Sequence, residues 1–378
     1  MKDRIYLDNN ATTFVSPEVY TAMLQELQMP PSNPSSFHYY GQQAKSRLLK
    51  ARECLAKHLG TYSQEIIFTS GGTESMNLLI FGFAHKNSPG HIITSNIEHA
   101  CVESPIKELM NHGWQATFIK PGAAGSISIE DILANIRPDT KAIILGYANS
   151  ETGVKNDIAA IAQIALQHRL AFFIDAVGIF GKDYFTLPQG VTGAGFSGHK
   201  FHGPKGTGFC VLKTPYKIDP LFQGGGQEFS IRSGTENLPG IMGLAKAVEM
   251  ACSSIHDIES HMRSLREYFE SELRIHLPDI SINGQGQRVS NVSNISFPGV
   301  DGETLLIQLD MNLIAASLGS ACSSGSLEPS KVLLGMGLSR ERAKSSLRFS
   351  LSRYTTKKDL ESALPIIIGS VKQLRSMN

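Results

Sequence analysis

The chain has 378 residues, 41% of them hydrophobic, and 35 Lys and Arg against 34 Asp and Glu leave a formal charge of +1. This excludes a small disulfide scaffold and a disordered chain, and it provides no global field to recruit nucleic acid or an anionic membrane. The five cysteines, Cys54, Cys101, Cys210, Cys252 and Cys322, are scattered without CxxC spacing, which argues against a zinc site or disulfide framework and for a reducing, cytoplasmic setting.

The opening MKDRIYLDNN has no apolar stretch behind its charges, and no apolar run approaches the ~20 residues that span a bilayer, so a soluble protein is expected. Short apolar runs then alternate with longer amphipathic segments. EIIFT (65–69), HIITS (91–95), ATFI (116–119), AIILG (142–146) and AFFID (171–175) read as buried strands, and IAAIAQIALQH (158–168) reads as a helix. That order predicts an α/β fold with a largely parallel sheet. From about Ala245 to Leu277 the pattern is helical and charged, and it turns strand-like over 281–297 after Leu277-Pro278. A large domain over 15–255 and a smaller one over 256–378 are expected.

Five segments carry candidate chemistry. Thr69-Ser70-Gly71-Gly72-Thr73-Glu74-Ser75 follows a strand and precedes a helix, where small residues and a helix N-terminus can cup a phosphate; an ordinary N-capped glycine turn has the same pattern. Glu98-His99 follows the strand HIITS, and a histidine there can shuttle protons or stack on a planar ring. Asp175 closes the strand AFFID at the carboxyl edge of the sheet, where open α/β folds bind ligands. A carboxylate there can keep a pyridine nitrogen protonated and turn a pyridoxal ring into an electron sink, or merely cap a helix. Ser197-Gly198-His199-Lys200 sets a lysine among small residues, as a Schiff-base lysine requires, although a surface loop is the commoner fate of lysine. His199 and His202 have HxxH spacing but no obvious third ligand, so no metal is expected.

The fifth segment, Gly319-Ser320-Ala321-Cys322-Ser323-Ser324-Gly325, places a cysteine among Gly and Ser, with no apolar face to bury it. This is the context of a nucleophile that visits a substrate and then a partner. The other four cysteines sit in apolar or helical contexts and read as packing.

In this order the segments resemble the NifS/IscS family of cysteine desulfurases, within the aspartate aminotransferase fold type of pyridoxal-phosphate enzymes. The likeness runs from Tyr6-Leu7-Asp8-Asn9-Asn10 to Ser346-Leu347-Arg348-Phe349-Ser350, and GSACSSGSLEPS (319–330) looks like the long catalytic loop of the IscS-like branch. It implies a mainly parallel seven-stranded sheet, a smaller α+β C-terminal domain and an N-terminal segment, 1–14, that joins the two. Lys200 would carry pyridoxal 5'-phosphate as a Schiff base, Asp175 would pair with the ring nitrogen, and His99 would stack on the ring as acid/base. Gly72, Thr73, Ser197 and His199 would hold the phosphate. Thr235 would reach the phosphate of a neighbouring subunit, which implies a homodimer. Arg348 and Asn149 would bind the substrate, L-cysteine, and Cys322 would take its sulfur as a persulfide for an iron–sulfur scaffold or tRNA-thiolation acceptor.

Two departures stand out. Gly178 occupies the position of a glutamine that bonds the cofactor's phenolic oxygen, and Ser150 replaces an asparagine near the same oxygen. Gly178→Gln is therefore expected to restore a hydrogen bond and lower the Schiff-base pKa. The alternatives are another pyridoxal-phosphate activity, such as selenocysteine lyase, cystine lyase or a class V aminotransferase, and a regulatory protein with an eroded cofactor site.

Overall fold

The computed structural model describes residues 4–319 and 328–377, so Cys322 lies outside the described residues. A short strand β1 (Ile5–Tyr6) leads into helices α1 (Pro17–Leu27) and α2 (Tyr39–Leu59). Strands and helices then alternate: β2 (Ile66–Thr69), α3 (Gly72–Lys86), β3 (His91–Ser95), α4 (Ala100–Asn111), β4 (Gln115–Ile119), α5 (Ile129–Ala134), β5 (Thr140–Gly146), α6 (Ile158–Gln167) and β6 (Ala171–Asp175). Two further strands follow, β7 (Gly193–Ser197) and β8 (Gly208–Leu212).

β2 to β8 form one seven-stranded sheet in the order β2-β8-β7-β6-β5-β3-β4. Only β8 runs against its neighbours; the other pairings are parallel. β2, β3, β6, β7 and β8 are buried along their whole length. Helices cover both faces of the sheet, so these strands read as continuous runs of apolar or small residues rather than as alternating ones. On one face residues of α1, α2, α6 and α7 (Leu238–Ser253) join the core, and on the other those of α3 and α4 do so.

Helix α8 (Ile255–His276) follows directly, so the expected long helix is two helices that meet at Ser254, whose φ and ψ of −129° and 25° are not helical. The remaining elements are β9 (Ser281–Ile282), β10 (Val292–Ser296), α9 (Gly302–Met311), β11 (Ile314–Ala315), α10 (Lys331–Gly335), α11 (Arg340–Lys344), β12 (Ser346–Ser350) and α12 (Lys357–Ser376). β12, β10 and β9 make an antiparallel sheet, with a second hydrophobic core around Phe269, Phe297 and Phe349. The N-terminal segment is tied into this region, because β1 pairs with β11 and Leu7 lies in the second core. Among the described residues no helix is long and apolar enough to cross a membrane.

Candidate active site

The carboxyl ends of β5, β6 and β7 open onto a cavity of about 340 Å³, closed from the other side by Asn10, Ala11 and Arg348. Its wall includes Gly72, Thr73, His99, Asn149, Ser150, Asp175, Ser197, His199, Lys200 and Arg348. Ten of the residues singled out in the sequence, spread over more than 270 positions of chain, thus meet around one space. Thr235 does not line it; it sits exposed in the loop before α7.

Each of these side chains is placed by a local device. β6 pairs Asp175 with Gly146 on one side and Gly195 on the other, so neither neighbouring strand sets a side chain beside the carboxylate. Oδ1 accepts the Val177 amide at 3.0 Å and Oδ2 accepts the Cys101 thiol at 3.5 Å. Cys101, expected only to pack, therefore also orients the carboxylate. Burial and the Asp175 charge push its thiol far above the ordinary range, which keeps it a donor rather than a thiolate.

His99 caps α4, and its Nδ1 accepts the Cys101 amide at 3.1 Å. A ring that accepts at Nδ1 carries its proton on Nε2. Glu98, given no role by the sequence, is half-buried beside it; its carboxyl accepts the Gly146 amide at 2.8 Å and the Ser95 hydroxyl. Burial, reinforced by the charge of Asp175, raises its pKa to about 7.

Lys200 sits on a single 3-10 turn, Gly198–Lys200, that follows β7. Its ammonium donates to the carbonyl oxygens of Asn10 at 2.6 Å and Ala11 at 2.9 Å. The N-terminal segment is laid over this turn by three more bonds: the amide and hydroxyl of Thr13 both donate to the His199 carbonyl at 2.9 Å, and Thr12 Oγ1 lies 3.0 Å from His199 Nδ1. Burial and the nearby Lys200, Lys205 and Lys182 lower the His199 pKa to about 4. Its ring is therefore neutral at physiological pH.

The start of α3 lies against Ser197, and a Cβ on Gly72 would meet Val177 Cγ2 at 2.7 Å. Glycine is thus required where the helix N-terminus approaches the β6 and β7 ends, and that N-terminus suits an anion. Glu74 in its first turn is held by Arg232 at 2.8 Å and by the Ser70 amide.

Arg348 is 1% exposed on β12. One nitrogen pairs with Asp8 at 2.7 Å, another reaches the Ser150 carbonyl oxygen at 3.4 Å, and the buried Nε has no partner among the described residues. A buried guanidinium with donor capacity to spare is suited to a carboxylate. Asn149 is committed differently: its side-chain oxygen accepts the amides of Glu151 at 2.9 Å and Thr152 at 3.0 Å, and its amide donates to Ile97. Its side chain builds the turn that shapes the wall. Gly178 is held by packing, since a Cβ there would lie 2.2 Å from the Ala148 carbonyl oxygen. The expectation that glutamine could simply be restored at 178 is therefore wrong, because the wall leaves no room for a side chain.

The donor set fits pyridoxal 5'-phosphate: a buried, oriented carboxylate for the ring nitrogen, a lysine amine, a helix N-terminus with Gly72, Thr73, Ser197 and neutral His199 for the phosphate, and an underused arginine. The class-V aminotransferase family model matches residues 5–362. Cysteine desulfurase IscS of Dictyoglomus turgidum is 40% identical over 382 residues, covering 100% of this chain and 97% of its own length. That of Methanosarcina thermophila is 39% identical, covering 99% of this chain and 93% of its own length. A solved NifS-like protein superposes with a TM-score of 0.91 at 33% identity, covering 98% of this chain and 100% of its own. The structure of SspA in complex with cysteine superposes with a TM-score of 0.82 at 33% identity, covering 93% and 99%. The chain belongs to the class-V aminotransferases, among the pyridoxal-phosphate-dependent cysteine desulfurases.

Proposed function

We propose that this enzyme removes sulfur from L-cysteine, leaving alanine, and holds the sulfur as a persulfide on Cys322 for transfer to an acceptor. The observation that carries this reading is the convergence of Asp175, Lys200, His99 and Arg348 on one cavity whose arginine has an unpaired buried nitrogen. Pyridoxal phosphate, when bound, supplies an electron sink for the substrate's α-carbon. Lys200 holds it, and Gly72, Thr73, Ser197 and His199 take its phosphate. The Asp175 carboxylate, fixed by Val177 and Cys101, keeps a proton on the ring nitrogen. Arg348 turns its spare donor to the substrate carboxylate, and His99 moves protons at the reacting carbon.

Cys322 enters through its sequence context and through its described flanks. Ser330 donates to the Glu151 carboxylate, a Cβ on Gly319 would lie 3.0 Å from the same group, and Glu151 lines the cavity. The chain on either side of 320–327 is thus held at the cavity wall. Cys322 attacks the substrate sulfur, the C–S bond breaks as an S–S bond forms, and the carbon is reprotonated before alanine leaves. Iron–sulfur scaffold proteins or tRNA-thiolation proteins are the acceptors this reading favours, in a reducing cytoplasm. The enzyme works as a homodimer in which Thr235 serves the partner's phosphate site. Its exposure outside its own cavity supports that role, as does the exposed run of Phe37, Tyr39 and Tyr40.

The test is the absorption spectrum of the purified protein with and without L-cysteine, with alanine and sulfide measured under reductant. A cofactor band that responds to cysteine, with stoichiometric alanine, is expected. Cys322→Ser should keep the cofactor and the spectral response and lose alanine release, because a hydroxyl is a far poorer attacker of sulfur. Undiminished sulfide from that variant would instead make the enzyme a lyase that needs no protein thiol.

A further inference from the structure

The loop over 224–235, between β8 and α7, is held more firmly than an exposed connection needs. Its glycines 224–226, Phe229, Ser230, Gly234 and Thr235 are exposed, yet three successive non-glycine residues, Glu228, Phe229 and Ser230, lie in the left-handed region at φ of 44°, 58° and 62°. That conformation is strained for any residue with a Cβ and persists only where the surroundings impose it. Here the buried Glu228 imposes it. Its carboxylate accepts two Arg52 nitrogens, at 2.8 and 2.6 Å, and the Phe68 amide at 2.8 Å. The guanidinium carbon in turn lies 4.7 Å from the centre of the Phe68 ring and 5.0 Å from that of Phe229.

The left-handed turn folds the chain back, so the residues before it meet those after it. Gln227 Oε1 accepts the Gly234 amide at 3.1 Å, and the Ser233 hydroxyl donates to the Gly225 carbonyl oxygen at 2.8 Å. A Cβ on Gly224 would lie 2.9 Å from the Ser233 Cβ, so glycine is what lets the two arms of the loop close. Arg232 is fixed separately, by Glu74 in the first turn of α3 at 2.8 Å. These pins lead to Thr235, whose side chain is absent from the wall of its own cavity.

Resting on the reading that Thr235 serves the phosphate site of a partner subunit, we infer that Gln227 is a positioning residue that fixes Thr235 for that phosphate. Gly234, at φ of 108°, has no side chain to restrict its backbone. The bond from its amide to Gln227 is therefore what holds the peptide leading into Thr235. Arg232 fixes the loop three residues earlier, with Ser233 and Gly234 still between. A donor held rigid before its ligand arrives loses less freedom on binding, and this accounts for a strained backbone in an exposed loop.

Gln227→Met keeps the length of the side chain and removes the acceptor. Arg232 is unsuited to the test, because its loss would also leave the Glu74 carboxylate uncompensated in the phosphate cup of its own chain. Full-length apoprotein is titrated with pyridoxal phosphate and, separately, with pyridoxal, which lacks the phosphate; each affinity is read from the absorbance of the bound cofactor. Gln227→Met should bind pyridoxal phosphate about fivefold more weakly than wild type, as loss of one hydrogen bond implies, and should bind pyridoxal equally well. Because Gln227 acts through Thr235, the double variant Gln227→Met/Thr235→Ala should bind pyridoxal phosphate no more weakly than Thr235→Ala alone. In a mixed dimer with a Lys200→Ala chain, the chain that carries Gln227→Met and an intact Lys200 receives an unaltered loop, and it should bind the cofactor with wild-type affinity.

Equal weakening toward pyridoxal and pyridoxal phosphate overturns the inference, since it assigns Gln227 to the fold in general. Wild-type affinity in Gln227→Met, a double variant whose losses multiply, or a mixed dimer with only weakened sites overturns it as well. Should Gln227→Met not fold, Gln227→Ala makes the same comparisons. Wild-type affinity for pyridoxal phosphate in the Thr235→Ala homodimer is a different failure: Thr235 then leaves the site, and the inference falls with the reading beneath it.

Discussion

At the scale of single residues the wall is built around two positions that conventional substitution logic misjudges. Gly178 stands where the resemblance to the cysteine desulfurases implies a glutamine toward the cofactor, yet the Ala148 carbonyl oxygen fills the space of its missing Cβ at 2.2 Å. Gly178→Gln should therefore overpack the wall and lower stability by about 1–3 kcal/mol, with weaker cofactor binding, rather than retune the Schiff base. Urea unfolding and a cofactor titration check this. Glu98 is the second position. Its folded pKa of about 7 exceeds the ordinary 4.5, so the folded protein keeps a proton that the unfolded chain has released. The stability this contributes is complete below pH 4.5 and is lost as pH rises through 7. Glu98→Gln retains acceptor and donor for Gly146 and Ser95 without ionising. Its stability relative to wild type should improve by about 2 kcal/mol between pH 5 and pH 8, read from urea midpoints at the two values.

At the scale of elements, strands were the most legible feature because burial on both faces makes each a short apolar run: EIIFT, HIITS and AFFID fall on β2, β3 and β6 within a residue. Asp175, Lys200 and the start of α3 were legible for a related reason, since each sits at a strand end where the sheet's topology places ligands. What sequence could not convey is contact between distant segments. Cys101 looks like a packing residue of α4 until the sheet brings Asp175 within 3.5 Å, and Lys182 looks like a surface lysine until the turn after β6 folds it inward. Glu98 stands beside His99 in the chain, but the raised pKa of its carboxyl follows from its seat against the strand ends at Ser95 and Gly146. The N-terminal segment is the element most dependent on such contacts. Asp8 pairs with Arg348, Asn10 and Ala11 accept from Lys200, and Asn10 receives a hydrogen bond from Asn291 at 3.0 Å. Asp8→Ala should leave the Arg348 guanidinium buried without its counter-ion at a cost of about 3 kcal/mol. Thermal and urea unfolding should both record the loss, and Arg348→Ala in the same background should recover part of it.

At the scale of the whole molecule, the feature still to be accounted for is Thr235, which is exposed and absent from the wall of its own cavity. If its hydroxyl completes the partner's phosphate site, the two lesions Lys200→Ala and Thr235→Ala complement each other in a mixed dimer. One site of that dimer combines both lesions, and the other combines an intact Lys200 with an intact Thr235 from the neighbouring protomer. If Thr235 acts within its own chain, each site carries one lesion and neither is whole. Co-expression of the two variants with different tags, followed by tandem purification, isolates the mixed dimer. The expected result is a protein that binds one cofactor per dimer with wild-type affinity, whereas the Thr235→Ala homodimer binds about tenfold more weakly, as loss of a hydrogen bond to a charged phosphate implies. Wild-type affinity in the Thr235→Ala homodimer removes Thr235 from the site, and a mixed dimer with only weakened sites returns it to its own chain. A monomer in light scattering at micromolar concentration ends the shared-site reading altogether, and the exposed Phe37, Tyr39 and Tyr40 would then need another partner.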